Sequence, residues 1–214
     1  MKCDMIMFDV DGTIWDVSNN LVNSINIILE KHNYTERVDV DKVKNGMGKN
    51  AHDFSNFIFD FIYDEDQRMK ILKETENLKR KFIEDYGMKP YPNFVETIKE
   101  LSKNYKVGIV SNCGEGTIEQ LIRVLHIEEY ISGFVAASKY GITKAEGILK
   151  IAKENNAKNY IYVGDTILDK EASGLSNAKF VWAKYGFGKN IESDYSIEKV
   201  DDLFEIIKQI EKEN

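Results

Sequence analysis

The chain has 214 residues, of which 43% are hydrophobic and 30% are charged, and its formal net charge at pH 7 is -7. This composition is ordinary for a soluble globular protein, and the length suffices for one sizeable domain with a smaller insertion. The acidic balance and the lack of a basic run argue against a nucleic-acid partner held by general electrostatics. No apolar stretch approaches the ~20 residues that a membrane span needs, so we expect no membrane partner.

Cysteine usage and the N-terminal segment indicate the compartment. The two cysteines cannot form a disulfide framework. The chain enters its first predicted strand at once, which leaves no room for a signal peptide. We therefore expect a cytoplasmic protein.

The most informative motif follows the first predicted strand, the apolar run Met5–Phe8. Asp9 and Asp11 come directly after it, and Gly12 lets the backbone turn sharply. Two carboxylates that converge at such a strand end repel each other by about 4 kcal/mol at 4 Å and an effective dielectric of 20. The motif therefore needs a cation or a shared proton, although in isolation it is also typical of an acidic loop cap.

Residues 17–89 interrupt the pattern of strands. Apolar residues at helical spacing predict one helix around Leu21–Leu29 and an aromatic-rich helix around Phe54–Ile62, and the charged stretch Glu74–Glu84 predicts another. Pro90 and Pro92 restrict the backbone where the segment ends. We predict a helical subdomain over 17–89, inserted into a core made of 1–16 and 90–214.

From Phe94 onwards, strands and helices alternate. Strands are predicted at Val107–Val110, Phe134–Ala137, Tyr160–Val163 and Phe180–Ala183, with amphipathic helices between them and at the C-terminus. Two helix starts have the form of a capping box: Thr143 with Glu146, and Thr117 with Gln120. Repeated strand–helix units predict an α/β fold with a Rossmann-like parallel sheet.

Polar residues follow several of these strands. Ser111 and Asn112 come after the second strand, and Asp165 and Asp169 after the fourth, while Lys144 opens a helix. The carboxyl ends of strands in an open parallel sheet face a common crevice, where ligands bind. We therefore expect these side chains to meet Asp9 and Asp11 in one pocket.

Taken together, these residues resemble the four motifs of the haloacid dehalogenase superfamily of phosphotransferases. The matching segments are Asp9–Thr13, Ser111–Asn112, Lys144 and Gly164–Asp169. Many members have a proline after the lysine, where this chain has Ala145. The resemblance runs from about Met5 to Gly188, and the layout is similar to phosphoglycolate phosphatase-like members. It implies that the insertion is a mobile cap over the active site.

The resemblance also implies a role for each residue. Asp9 is the expected nucleophile, and Asp11 is the general acid and then the base. Ser111, Asn112 and Lys144 are expected to bind the phosphoryl oxygens. The expected cofactor is Mg²⁺, held by the side chains of Asp9 and Asp165 and the backbone carbonyl of Asp11, with Asp169 acting through water or behind the ligands.

These expectations predict a Mg²⁺-dependent phosphatase that acts on a small phosphorylated metabolite, as a monomer or homodimer. Members of the superfamily that cleave carbon–halogen or carbon–phosphorus bonds lack the second acid of the first motif, so the presence of Asp11 argues against both reactions. Thr13 favours hydrolysis over the alternative of a phosphosugar mutase of the β-phosphoglucomutase type, since such mutases often have valine there. A non-catalytic phospho-ligand-binding regulator is the alternative from another class. In the polar segment Lys44–Asn50, Lys49 is a candidate substrate contact. The alternative is that this segment is a solvated surface loop.

Overall fold

The computed structural model describes residues 2–213, and its central element is a six-stranded parallel sheet. The strands are β1 (Met5–Phe8), β2 (Lys106–Ser111), β3 (Gly133–Ala136), β4 (Tyr160–Gly164), β5 (Lys179–Ala183) and β6 (Ser196–Ile197). They lie in the order β3-β2-β1-β4-β5-β6, and every neighbouring pair is parallel. The predicted α/β fold with a Rossmann-like sheet is confirmed, and β1 lies near its middle.

Ten helices accompany the sheet in residues 2–213. They are α1 (Ser18–Lys31), α2 (Val40–Gly46), α3 (Ala51–Ile58), α4 (Glu65–Tyr86), α5 (Phe94–Leu101), α6 (Thr117–Leu125), α7 (Ala137–Tyr140), α8 (Lys144–Glu154), α9 (Ile167–Leu175) and α10 (Leu203–Lys212). Short 3₁₀ turns lie at Glu128–Tyr130 and Val200–Asp202. Within the described part of the chain, no helix has the length and hydropathy of a membrane span.

The alternation of side chains along β1 divides the core into two layers. Met5 and Met7 pack on one face of the sheet with apolar residues of α8 and α9. Ile6 and Phe8 point to the other face, where Phe8 meets Phe94 of α5 edge to face, with ring centroids 5.6 Å apart. A strand that is buried on both faces is apolar throughout, which is why its sequence shows no polar alternation.

The segment between β1 and Pro90 contains α1 to α4, and the longest of them, α1 and α4, pack against each other. The two ends of this segment lie side by side, since Trp15 forms a bridge with Pro90 and the Tyr91 amide donates to the Ile14 carbonyl at 2.8 Å. We propose that 17–89 form the cap subdomain and that 1–16 with 90–214 form the core.

Two local predictions differ from the structure. Helix α6 begins after Gly116, a glycine with φ of +80°, and no side chain caps it. The side-chain Nε2 of Gln120 donates to the Arg80 carbonyl of α4 at 2.8 Å, so this side chain makes a contact with α4 and forms no capping box. The segment Lys44–Asn50 is not all loop, because its first three residues end α2. The capping box of Thr143 and Glu146 is present.

Candidate active site

Three carboxylates meet where neighbouring strands end. Asp9 follows β1, and its amide donates to the Val163 carbonyl of β4 at 2.9 Å, so the ends of these strands are held together. Asp165 follows β4, and Asp169 lies in the first turn of α9. One oxygen from each of the three side chains lies within 4.8 Å of the others, and all three residues are buried.

Lys144 supplies the buried positive charge of this cluster. Its Nζ donates to Asp9 Oδ1 at 3.0 Å and to Asp169 Oδ1 at 2.6 Å. Burial alone would lower the pKa of Lys144, but the charges of Asp169 and Asp9 outweigh it and raise the pKa above its usual range. The lysine is therefore charged, and it fixes the Asp9 side chain from the first turn of α8.

One ammonium group does not neutralise three carboxylates. Burial raises the pKa of Asp9 to about 7, with further contributions from Asp169 and Asp11 against the opposing effect of Lys144. Burial, then Asp169 and Asp9, also raise the pKa of Asp165 well above its usual range. Buried carboxylate oxygens that repel one another in this way are the hard ligands that a divalent cation such as Mg²⁺ prefers. The residues present therefore fit a metal.

Asp165 is held in place by the loops around it. It accepts hydrogen bonds from the Phe187 amide at 2.7 Å and from the Thr13 hydroxyl at 3.3 Å. Gly12 lies against it, with φ of +91°, and a Cβ added there would be 2.2 Å from Asp165 Oδ2. Only glycine combines this backbone conformation with so close an approach. Gly12 therefore serves the site directly as well as the turn.

Asp11 lies apart from this cluster, with its side chain half-buried. Trp15 Nε1 donates to Asp11 Oδ1 at 3.1 Å, and the two residues also form a backbone bridge. Burial raises the pKa of Asp11, with Glu76 adding to the effect and Lys79 opposing it most strongly. A carboxyl group with a raised pKa, one fixed oxygen and access to the cavity suits proton transfer.

The other predicted phosphate ligands take different positions. Ser111 ends β2, is buried and lines the same cavity as Asp9 and Lys144. Asn112 also lines it, but its Nδ2 donates to the Gly48 carbonyl of the loop after α2 at 3.0 Å. The Asn112 side chain thus connects the sheet to the helical insertion.

The cavity above Asp9 has a volume of about 90 Å³ and lies between the sheet and the helical insertion. Lys49 lines it, with its Nζ 5.7 Å from the centre of the Phe57 ring. Two residues that the sequence analysis did not single out, Glu76 and Lys79 of α4, line it as well. The available signal was a lysine within the buried stripe of α4, which includes Thr75 and Ile83.

The motifs at these strand ends have a counterpart in known families. A family model described as haloacid dehalogenase-like hydrolase matches residues 6–183, most of the chain. The chain belongs to this family. Its membership accounts for the order in which the acidic, hydroxyl and lysine motifs follow the strands.

Named relatives resemble the chain over almost its whole length. It is 24% identical to the pyrophosphatase PpaX of Bacillus cereus strain Q1 over 225 residues, which cover 99% of this chain and 100% of that protein.

Among solved structures, a predicted phosphoglycolate phosphatase from Haemophilus somnus 129PT superposes with a TM-score of 0.83 at 21% identity, covering 96% of this chain and 98% of that one. A putative haloacid dehalogenase-like hydrolase from Bacteroides fragilis gives 0.80 at 21% identity, covering 94% and 100%. These structures share the fold.

Proposed function

We propose that the protein is a Mg²⁺-dependent phosphatase that hydrolyses a small phosphorylated metabolite through an aspartyl-phosphate on Asp9. The observation that carries the proposal is the position of Asp9. This buried carboxylate is fixed by Lys144 at 3.0 Å and borders a small cavity that Ser111 and Asp11 also line. Family membership supports hydrolysis.

In the first step, a carboxylate oxygen of Asp9 attacks phosphorus and the bond from phosphorus to the leaving oxygen breaks. Asp11 gives its proton to that oxygen, so the product leaves as a neutral alcohol. Ser111 and Lys144 bind the phosphoryl oxygens, and Lys144 offsets their charge. Trp15 holds one Asp11 oxygen at 3.1 Å and leaves the other free for the proton transfer.

In the second step, Asp11 is ionised and takes a proton from a water molecule. The oxygen of that water attacks the phosphorus of the aspartyl-phosphate, and the bond to Asp9 breaks. The products are inorganic phosphate and the free Asp9 carboxylate. The same side chain thus acts as acid and then as base, which requires it to remain at the reacting oxygen throughout.

Asp9, Asp165 and the Asp11 carbonyl would hold Mg²⁺, and Asp169 would act through a water molecule or support these ligands without binding the ion directly. The fit rests on the three carboxylate oxygens within 4.8 Å of one another. When bound, the ion supplies positive charge next to the phosphoryl group. Asp169 is already engaged by Lys144 at 2.6 Å and by the Thr166 hydroxyl at 2.6 Å, so its main task is to orient the lysine.

The relatives' names describe two different substrates, pyrophosphate and phosphoglycolate. Both place a second anionic group beyond the reacting phosphate. For this chain we propose the wider class of small phosphorylated metabolites, acted on in the cytoplasm by a monomer or homodimer. Phosphosugar mutase activity is the alternative that product analysis separates from hydrolysis.

The proposal is tested with para-nitrophenyl phosphate and a panel of phosphorylated metabolites. Turnover should require Mg²⁺, stop on chelation with EDTA and return when Mg²⁺ is restored in excess. Inorganic phosphate should appear in the same amount as the alcohol. Full activity after exhaustive chelation contradicts the metal assignment, and release of an isomer in place of phosphate shows a mutase.

A further inference from the structure

Two charged side chains of α4, Glu76 and Lys79, lie among mostly apolar residues of the helical insertion over the active site. Glu76 and Lys79 line the cavity that contains Asp9 and Asp11, and the Lys79 side chain is only 2% exposed. The apolar residues that surround them are Leu21, Met47, Ala51, Phe54 and Leu72.

The pair is not explained by the stability of α4. Lys79 Nζ lies 2.6 Å from Glu76 Oε2, one helical turn away. Taking a lysine and a glutamate out of water costs more than such a pair returns, unless every polar atom is satisfied. Glu76 Oε2 is buried, and in the described residues no group besides Lys79 is placed to donate to it. A carboxylate oxygen can accept two hydrogen bonds, so Oε2 has room for a second donor.

Lys79 is charged although it is buried. Burial alone would lower the pKa of Lys79, but its attraction to Glu76 and then to Asp11 outweighs burial and leaves the pKa above its usual value. The ammonium group has three N–H donors, and Glu76 is its one ion-pair partner in residues 2–213. The cavity thus presents unused donors on Lys79 beside a carboxylate oxygen of Glu76 that can accept a second hydrogen bond.

This arrangement discriminates between leaving groups. A carboxylate or second phosphate next to Lys79 would also lie close to Glu76, where like charges repel, and a fully ionised group has no proton for Oε2. A hydroxyl group can accept a hydrogen bond from Lys79 and donate one to Glu76 at the same time.

We infer that the Lys79–Glu76 pair binds a hydroxyl group of the leaving alcohol, so that the preferred substrate is the monophosphate of a small diol or triol. This inference rests on the proposed phosphatase function and narrows its substrate class. The same cavity, with a volume of about 90 Å³, contains Asp9 and Asp11 as well as the pair, so a small leaving alcohol whose phosphate lies at Asp9 can reach both charged side chains.

The test compares substrates that differ only beyond the reacting phosphate. They are 2-hydroxyethyl phosphate, propyl phosphate, 2-phosphoglycolate and pyrophosphate, with para-nitrophenyl phosphate as a generic ester. For the native enzyme, kcat/KM for 2-hydroxyethyl phosphate should exceed the values for propyl phosphate, 2-phosphoglycolate and pyrophosphate by at least tenfold. A native preference for propyl phosphate, phosphoglycolate or pyrophosphate overturns the inference while leaving the phosphatase proposal intact. No turnover of any ester defeats both.

Two variants test the residues themselves. Glu76→Gln keeps the size of the side chain but gives the pair a net positive charge. It should therefore raise kcat/KM for phosphoglycolate relative to 2-hydroxyethyl phosphate by at least tenfold. Lys79→Met should lower kcat/KM for 2-hydroxyethyl phosphate relative to propyl phosphate by at least tenfold, because a change at Asp11 affects both esters whereas the lost contact affects only the hydroxyl group.

Lys81→Met, at an exposed position of the same helix, is the control and should change neither ratio. Circular dichroism and thermal melting establish that each variant is folded. Unchanged ratios in folded Glu76→Gln and Lys79→Met overturn the inference. If either variant fails to fold, the substrate preference of the native enzyme decides.

Discussion

The hydrogen bond from Trp15 to Asp11 gives a sharp test of the acid–base role that we propose for Asp11. Trp15 is 4% exposed, and its Nε1 lies 3.1 Å from Asp11 Oδ1. Trp15→Phe keeps an aromatic ring in this site and removes the donor. A hydrogen bond to a charged group contributes about 1.5–3 kcal/mol, so an equal loss from the transition state would slow proton transfer roughly ten- to a hundredfold.

The assay uses the dependence on the leaving group. The quantity kcat/KM reports steps only up to cleavage of the ester, so the later activation of water by Asp11 does not enter. An alkyl phosphate needs a proton on its leaving oxygen, whereas para-nitrophenolate leaves without one. Trp15→Phe should therefore lower kcat/KM at least tenfold for an alkyl phosphate and less than threefold for para-nitrophenyl phosphate. Equal losses on both substrates would refute the reasoning and point to a general packing defect.

Three further predictions concern the acidic cluster and the loop after α2. Because burial raises the pKa of Asp9 to about 7, the metal-free Asp9 carboxyl holds a proton below that pH, and Mg²⁺ must displace it. Mg²⁺ affinity should therefore rise from pH 6 to pH 8. Calorimetry in buffers of different ionisation enthalpy measures the protons released on binding. Equal affinity at both values, without proton release, would contradict this. Gly12→Ala should destabilise the fold by more than about 2 kcal/mol and abolish Mg²⁺ binding, whereas Gly141→Ala, with φ of +62° and no atom within 4 Å, should cost only about 1–2 kcal/mol and leave binding intact. Lys49→Ala should reduce kcat/KM for the best metabolite by more than tenfold, about 1.4 kcal/mol, and for para-nitrophenyl phosphate by less than twofold; no loss on either would make Lys49 a surface residue.

Most of the sheet could be predicted from the sequence because its strands are short, continuous apolar runs, each followed by polar residues. Strand β6, with two residues, is too short to give such a pattern. The prediction of a capping box at Thr117 was wrong because the Gln120 side chain binds the Arg80 carbonyl of α4. A local sequence motif contains no information about that distant contact.

Some residues of the candidate site could likewise be predicted from the sequence, and others could not. Asp9, Asp165 and Ser111 could be placed together because parallel strands end at one edge of a sheet. Glu76 and Lys79 could not, because they reach the cavity from α4, and periodicity does not say how an inserted helix lies over the sheet. Trp15 was missed for a similar reason, since its contact with Asp11 depends on the turn at Gly12.

Detection of the phosphorylated residue tests the central claim most directly. The enzyme is mixed with Mg²⁺ and its best substrate, quenched in acid within milliseconds, digested and examined by mass spectrometry. The account predicts an acid-stable phosphoryl group on Asp9 that is labile to hydroxylamine, and none in Asp9→Asn, which should fold normally and show no turnover. A phosphoryl group on another residue, or an Asp9→Asn variant that retains a tenth of the native rate, would contradict the account.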